Sequence, residues 1–212
     1  MMKTRIFNLI ILDESGSMQS IKCEAINSVN ETVQTIRAAQ RKYEDQDHFV
    51  SLVTFNDDAI KTTYDCEPAM TVEELTDKQY RPDCCTPLYD AMGQSLNALR
   101  PKVAADDRVL VTVVTDGMEN SSKEYTGKAI KALVDELKAK GWVFAYIGAN
   151  HDVEQAAATI SIHNTMSFNA TIVGTAQMSK RSNSSRSSFF DRITHNLFDS
   201  EVENQCFFDN DK

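Results

Sequence analysis

Three short segments of the sequence carry side chains whose oxygen atoms could bind a metal ion. The first is Asp13-Glu14-Ser15-Gly16-Ser17, the second contains Thr86, and the third contains Asp116. Carboxylate and hydroxyl oxygens suit hard cations such as Mg²⁺, which takes about six oxygen ligands and tends to keep some waters. The cysteines and histidines show no C-x-x-C or related zinc spacing, which argues against a zinc site.

The sequence around these residues alternates between strand and helix patterns. Largely apolar runs predict strands at Ile6–Leu12, Phe49–Phe55, Val109–Val114 and Val143–Ile147, with Ile60–Tyr64 as a hairpin arm and Thr165–Phe168 as a short sixth strand. Apolar residues spaced three and four apart predict helices over Ile21–Arg41, Leu88–Leu99 and about Ile130–Leu137. A short helix follows from Asp152, and Asn169 is the predicted cap of a last helix that begins at Ala170.

This alternation predicts an α/β fold with a doubly wound, mostly parallel six-stranded sheet and helices on both faces. We expect the strand order 3-2-1-4-5-6, with one antiparallel edge strand. Ligands of such sheets bind beyond the carboxyl ends of the strands, where the strand order reverses. Asp13 ends strand one, Asp116 follows strand four, and Thr86 is a predicted N-cap at the start of the helix that leads into strand four. The three segments are therefore expected to meet at one edge of the sheet.

The residue types at that edge favour binding over chemistry. Two carboxylates, from Asp13 and Asp116, would face the two positive charges of a divalent ion, while Ser15, Ser17 and Thr86 offer neutral hydroxyls. The ion would therefore stay electrophilic, and the carboxylate of another molecule could occupy an open position.

With these residues in order, the sequence resembles the von Willebrand factor A family and its metal-ion-dependent adhesion site. The family's D-x-S-x-S reads here as Asp13, Ser15 and Ser17, its threonine as Thr86, and its second aspartate as Asp116. The resemblance covers about Ile6 to Ala170 and implies a Rossmann-like sheet with Mg²⁺ (or Mn²⁺) bound. It also implies an acidic residue of a protein partner as the ligand, without covalent chemistry. Stand-alone relatives act in larger assemblies, including those driven by AAA+ ATPases or tied to stress responses.

Several residues near the five are expected to border the partner surface. They are Glu14, Glu119, Asn150 and His151, and the Glu14 side chain is expected to point to solvent. Cys85 precedes Thr86 where small residues are common in the family, so it could crowd the loop that places the threonine.

The bulk properties limit the classes of partner. A formal net charge of −9 disfavours nucleic acid, because phosphate contacts need clustered lysines and arginines. The apolar run at Ile6–Leu12 is too short for a signal-peptide core or for a membrane span. Five unpatterned cysteines are expected to be free thiols in a cytoplasmic protein without membrane contact.

Two questions stay open at the level of sequence. We assign residues 1–178 to the domain and 179–212 to a C-terminal extension, which is either a frayed, partly disordered tail or an amphipathic helix that docks on a partner. The alternatives to a metal-dependent adaptor are a metal-dependent phosphatase-like hydrolase, with Lys123 as the nearby cation, and a scaffold module that binds no metal. The Asp13–Ser17 segment could also be an ordinary polar turn before a helix.

Overall fold

The sheet of the protein has the predicted strand order. The computed structural model describes residues 3–149 and 152–208. Six strands lie in the order β3-β2-β1-β4-β5-β6. β3 is antiparallel to β2, and the other neighbouring pairs are parallel. The strands are β1 Thr4–Asp13, β2 Gln46–Phe55, β3 Ile60–Pro68, β4 Arg108–Thr115, β5 Trp142–Gly148 and β6 Thr165–Ser167.

Helices cover both faces of this sheet, which completes the doubly wound α/β architecture. They are α1 Lys22–Lys42, α2 Leu88–Leu99, α3 Gly127–Lys138, α4 Val153–Thr159, α5 Ile172–Thr194 and α6 Ser200–Cys206. β1 shows how the sheet separates two cores. Ile6 and Ile10 pack with α1 and α5, whereas Leu9 and Ile11, which point the other way, pack with α2, α3 and α4. The continuous apolar sequence of β1 follows from burial on both faces.

The C-terminal residues pack on their own sheet. α5 runs without a break from Ile172 to Thr194, so the boundary expected at residue 178 falls inside a helix. Phe189 and Phe190 of this helix are fully buried. In α6, the Asn204 side chain donates to the Trp142 carbonyl and accepts from the Phe144 N–H, in the way that a neighbouring strand would. The apolar residues that could have formed a partner-docking face are therefore largely buried against the domain itself.

Helix starts show where local sequence was informative. Asp152 caps α4 as expected, since its side chain accepts from the Gln155 N–H. The prediction that Asn169 caps the last helix is wrong, because Thr171 accepts from the Gly174 N–H and α5 begins two residues later than expected.

Two further observations bear on the chemistry of the chain. All five cysteines are free thiols. In the part of the chain that the structure describes, no helix combines the length and apolarity needed to cross a membrane.

Candidate metal centre

The carboxyl ends of β1 and β4 are adjacent, and they bring together the first and third predicted segments. The Ser17 hydroxyl donates to Asp116 Oδ1 at 2.5 Å, although the two residues are 99 positions apart. The Ser15 and Ser17 hydroxyl oxygens lie 3.3 Å apart. Because β1 and β4 are hydrogen-bonded neighbours, the strand order explains why the Asp13–Ser17 segment lies beside Asp116.

The second segment brings Thr86 to the same place. A Cβ atom built on Gly117 would lie 3.4 Å from Thr86 Oγ1 and 3.7 Å from Ser17 Oγ, so these two hydroxyls border one small space. The prediction that Thr86 caps α2 is wrong. Pro87 occupies the N-cap position, and no side chain caps this helix. The Thr86 hydroxyl is instead directed to the space beside Ser17.

Asp13 is a buried carboxylate whose hydrogen-bond donors are all neutral. Its Oδ1 accepts from the Ser15 N–H at 2.7 Å, and its Oδ2 accepts from the Thr115 hydroxyl at 2.5 Å. Burial raises the pKa of Asp13 to about 6, and the nearby Asp116 carboxylate adds to the rise, while the Thr115 and Ser15 hydrogen bonds oppose it. Among the described residues, no lysine or arginine forms an ion pair with Asp13.

The five residues fit a hard divalent cation. They supply two carboxylates and three hydroxyls, and none of them supplies nitrogen or sulfur. A divalent ion would also provide the positive charge that the buried Asp13 lacks. Asp13, Ser15, Ser17, Thr86 and Asp116 are the residues that would hold it.

Backbone hydrogen bonds tie the three segments together. The Gly16 N–H donates to the Cys84 carbonyl at 3.0 Å, and the Asp83 N–H donates to the Glu14 carbonyl at 2.9 Å. Asn120 clamps Thr86 from the other side, because its side-chain oxygen accepts from the Thr86 N–H at 2.9 Å and its own N–H donates to the Thr86 carbonyl at 3.2 Å. The position of the Thr86 backbone is thus set from two directions.

The expectation that the Glu14 side chain points to solvent is wrong. Its side chain is fully buried, and Oε1 accepts from the Arg81 N–H at 2.5 Å. Lys61 Nζ lies 3.4 Å from both carboxylate oxygens. Lys61 and Arg81 are 47 and 67 positions away, so the local polar sequence could not reveal them. Glu14 therefore lies beneath the 80–83 loop and away from the surface that a partner would meet.

Glu119 lies near this edge but is half-buried and hydrogen-bonded to backbone groups. One of its oxygens accepts from the N–H groups of Ser121 and Ser122, and the other accepts from the Tyr89 N–H and the Ser122 hydroxyl. It therefore braces the start of α2. Asn150 and His151, the other two residues expected to border the partner surface, lie outside the described residues.

Sequence reasoning missed three residues that support the site. The Tyr80 hydroxyl is buried and donates to the Asp13 carbonyl at 2.5 Å. Thr115 holds Asp13 Oδ2, and Asp90 accepts from three successive N–H groups, those of Lys123, Glu124 and Tyr125. Neither Asp90 nor Tyr80 had a local signal, because Asp90 lies off the stripe formed by Leu88, Met92, Leu96 and Leu99, and Tyr80 stands in a polar segment.

A second group of possible metal ligands lies on the exposed side of the same loops. Ligand atoms of Asp58, Asp83 and Cys84 all lie within 4.8 Å of one another. All three residues are exposed, and clusters of this kind are common on acidic surfaces. An added metal ion could bind to this group instead of to the five candidate residues.

Comparison with known proteins supports the fold. A family model described as von Willebrand factor type A domain matches residues 9–180. No curated protein matches the sequence. Among solved structures, the von Willebrand factor type A protein from Catenulispora acidiphila has a TM-score of 0.57 at 12% identity, over 87% of this chain and 43% of that chain. This chain therefore spans less than half the length of that protein.

Two further structures match at similar levels. The vWF domain of the type V pili tip protein Mfa5 from Porphyromonas gingivalis has a TM-score of 0.60 at 10% identity, over 85% of this chain and 95% of that chain. Manganese-loaded TRAP protein from Plasmodium vivax has a TM-score of 0.53 at 15% identity, over 79% of this chain and 69% of that chain. At these identities the similarity establishes the fold alone.

Proposed function

The chain belongs to the von Willebrand factor type A domain family, and we propose that it is a metal-dependent adaptor module that binds an acidic residue of a partner protein. In this proposal Asp13, Ser15, Ser17, Thr86 and Asp116 hold Mg²⁺ or Mn²⁺. A divalent ion held there supplies an electrophilic position for an Asp or Glu carboxylate of the partner. Manganese in the similar TRAP structure is a property of that protein, and it motivates Mn²⁺ as a second ion to test.

One observation carries the proposal: the buried carboxylate of Asp13 lies beside Asp116 and is surrounded by neutral donors. A carboxylate without a cationic partner is costly to bury, so an arrangement of this kind favours a bound cation. Ser17 and Thr86 border the same space without adding charge. Two carboxylates neutralise a divalent ion only formally, which leaves it able to attract a third carboxylate.

The hydrolase alternative has less support. A phosphatase on such a sheet would need a second carboxylate two positions after the nucleophilic aspartate, and that position is Ser15. Lys123, the candidate phosphate-binding cation, is 76% exposed and pairs with Asp57 at 3.4 Å. Glu119, a candidate base, already accepts four hydrogen bonds. A hydrolytic site requires a base or nucleophile that is free to act on the substrate.

The partner class is part of the same proposal. We propose a protein in a larger assembly, such as one driven by an AAA+ ATPase or tied to a stress response, and neither nucleic acid nor a membrane. The net charge of −9 supports the exclusion of nucleic acid. Five free thiols are consistent with a reducing, cytoplasmic setting.

The test is capture of the partner in Mg²⁺ and in chelator. Immobilised protein should retain the partner in Mg²⁺ and release it in EDTA, and Thr86→Ala and Asp116→Ala should capture none while remaining folded. Asp106→Ala is the matched control, because Asp106 is exposed and lies two residues before β4, at the opposite end of that strand from Asp116. Replacing one acidic residue of the identified partner should abolish capture.

Two results would overturn the proposal. Capture that is equal in Mg²⁺ and EDTA would support the scaffold that binds no metal. Metal-dependent hydrolysis of a phosphoester, lost in Asp13→Asn, would support the hydrolase.

A further inference from the structure

A fully buried arginine lies between the sheet and α5, on the face opposite α2, α3 and α4. Arg186 is 1% exposed. Its guanidinium donates to Asn8 Oδ1 on β1 at 3.1 Å and to Thr112 Oγ1 on β4 at 2.8 Å. Its Nε is buried without a hydrogen-bond partner. A guanidinium has five N–H donors, so these two hydrogen bonds leave most of them unused.

The charge of Arg186 also lacks a counter-charge. Both of its hydrogen-bond partners are neutral, and no carboxylate of the described residues forms an ion pair with it. Burial lowers the pKa of Arg186 to about 10, so the guanidinium still carries its positive charge at neutral pH. Charges buried in proteins are nearly always paired, because an isolated one costs several kcal/mol or more.

A cavity adjoins Arg186. Arg186 lines the cavity together with five hydroxyl-bearing residues, which are Ser28, Thr32, Thr112, Thr175 and Ser182. The remaining lining is apolar and comes from β1, β4, β5, α1, α5 and the segments beside them. The space open to the centres of water-sized molecules is about 20 Å³. One water needs about 10–15 Å³ by this measure, so the cavity suits one or two waters or one small ion.

We propose that this cavity is a binding site for a small monovalent anion, of the size of chloride, that pairs with Arg186. The guanidinium provides the positive charge and unused N–H groups, and the hydroxyls of Ser28 and Ser182 are available as further donors. A buried polar atom without a partner, in a cavity of matching size, is the usual sign of an unseen water or ion. Water satisfies hydrogen bonds but leaves the charge unpaired, which favours the anion. The site is separate from the metal centre.

Two measurements test the site. Crystals grown in bromide should show an anomalous peak beside the Arg186 guanidinium. In EDTA and at constant ionic strength, replacing gluconate with chloride should raise the melting temperature in a saturable way. The expected rise is about 3–6 °C when chloride is tenfold above its dissociation constant.

Arg186→Met and Lys180→Met separate a specific site from a general salt effect. Arg186→Met should lose the chloride-dependent rise, whereas Lys180→Met, which removes a charge from the exposed side of the same helix, should keep it. An equal rise in Arg186→Met would overturn the proposal. If Arg186→Met does not fold, the bromide crystals of the unchanged protein decide the question. Water alone, or an empty cavity, in bromide would then overturn it.

Discussion

The candidate metal centre and the Arg186 cavity are opposite in charge and in access. Asp13 is a buried carboxylate whose donors are neutral, at the carboxyl edge of the sheet. Arg186 of α5 carries a buried guanidinium whose acceptors are neutral, and its side chain lies between that helix and the sheet. At the sheet edge Gly16 and Ser17 are exposed beside the buried carboxylate, so a ligand can arrive from outside. No comparable opening is needed for a small ion that stays bound under a helix.

This contrast teaches how one fold can use buried charge in two ways. At the edge, loops hold the charged oxygens in place, and in our proposal the missing charge comes from an exchangeable ion that a partner also contacts. Inside the sheet–helix interface, the missing charge must be supplied by something small enough to be enclosed. The two sites should therefore respond to different ions and to different substitutions.

The largest expected effect separates the two sites by substitution. Asp116→Ala should weaken Mg²⁺ binding more than about 100-fold, because it removes one of only two charged ligands. Arg186→Met should change Mg²⁺ affinity less than about twofold, since independent sites contribute additively. Isothermal calorimetry measures both. A large loss of Mg²⁺ affinity in Arg186→Met would show that the two sites are coupled and would contradict the prediction that they are independent.

The next effect is the pH dependence of the metal centre. Because the pKa of Asp13 is raised to about 6, apparent Mg²⁺ affinity should fall about tenfold per pH unit below pH 6 and level off above it. Without metal, the folded state holds the Asp13 proton more tightly than the unfolded chain. Stability should therefore decrease as the pH rises from about 4 to about 6, by up to about 3 kcal/mol.

Urea unfolding in EDTA at several pH values measures that decrease, and Asp13→Asn is the control that should lack it. Saturating Mg²⁺ should reverse the loss above pH 6. Metal-free stability that increases from pH 4 to 6 through Asp13 would contradict the assignment of an uncompensated carboxylate.

A smaller effect tests the loops that hold Thr86. Asn120→Ala removes the acceptor of the Thr86 N–H, so Mg²⁺ affinity should fall about tenfold, as is typical when a residue that orients a ligand is lost. Met118→Ala is the control, since Met118 is 63% exposed beside the same loop. Equal affinities in the two variants would mean that Thr86 needs no such clamp.

The last effect, which is on the free energy of unfolding, concerns the polar contacts of Arg186. Thr112→Val keeps the side-chain size but removes the acceptor of one guanidinium N–H, which should cost about 1.5–3 kcal/mol in the free energy of unfolding. Thr62→Val on the exposed side of β3 should change it by less than about 0.5 kcal/mol. Urea denaturation compares them. If both variants show the same small change in the free energy of unfolding, Thr112 does not stabilise the Arg186 guanidinium.

The fold, and the meeting of the Asp13–Ser17, Thr86 and Asp116 segments at one edge of the sheet, were predictable because local pattern and topology agree there. Continuous apolar runs such as Val109–Val114 mark strands with two buried faces, and the strand order then places Asp13 and Asp116 at adjacent strand ends. No structural detail was needed beyond the rule that ligands bind at the carboxyl edge of such a sheet.

The rest depends on contacts between distant residues. Glu14 is buried only because Lys61 and Arg81 approach it, and Asn120 matters only through Thr86. Arg186 stands in a run rich in serine and arginine that resembles a surface tail. Its burial follows from the docking of α5 against Asn8 and Thr112, which are 178 and 74 positions away. Composition alone could not distinguish this arginine from the exposed ones beside it.

The most direct test of the metal centre is anomalous diffraction from crystals soaked in Mn²⁺. We expect one strong peak in contact with the hydroxyls of Ser15 and Ser17 and beside Thr86 and Asp116, and its loss in Asp13→Ala crystals. A peak only at the exposed group of Asp58, Asp83 and Cys84, or no peak near Ser17 at saturating Mn²⁺, would contradict the account.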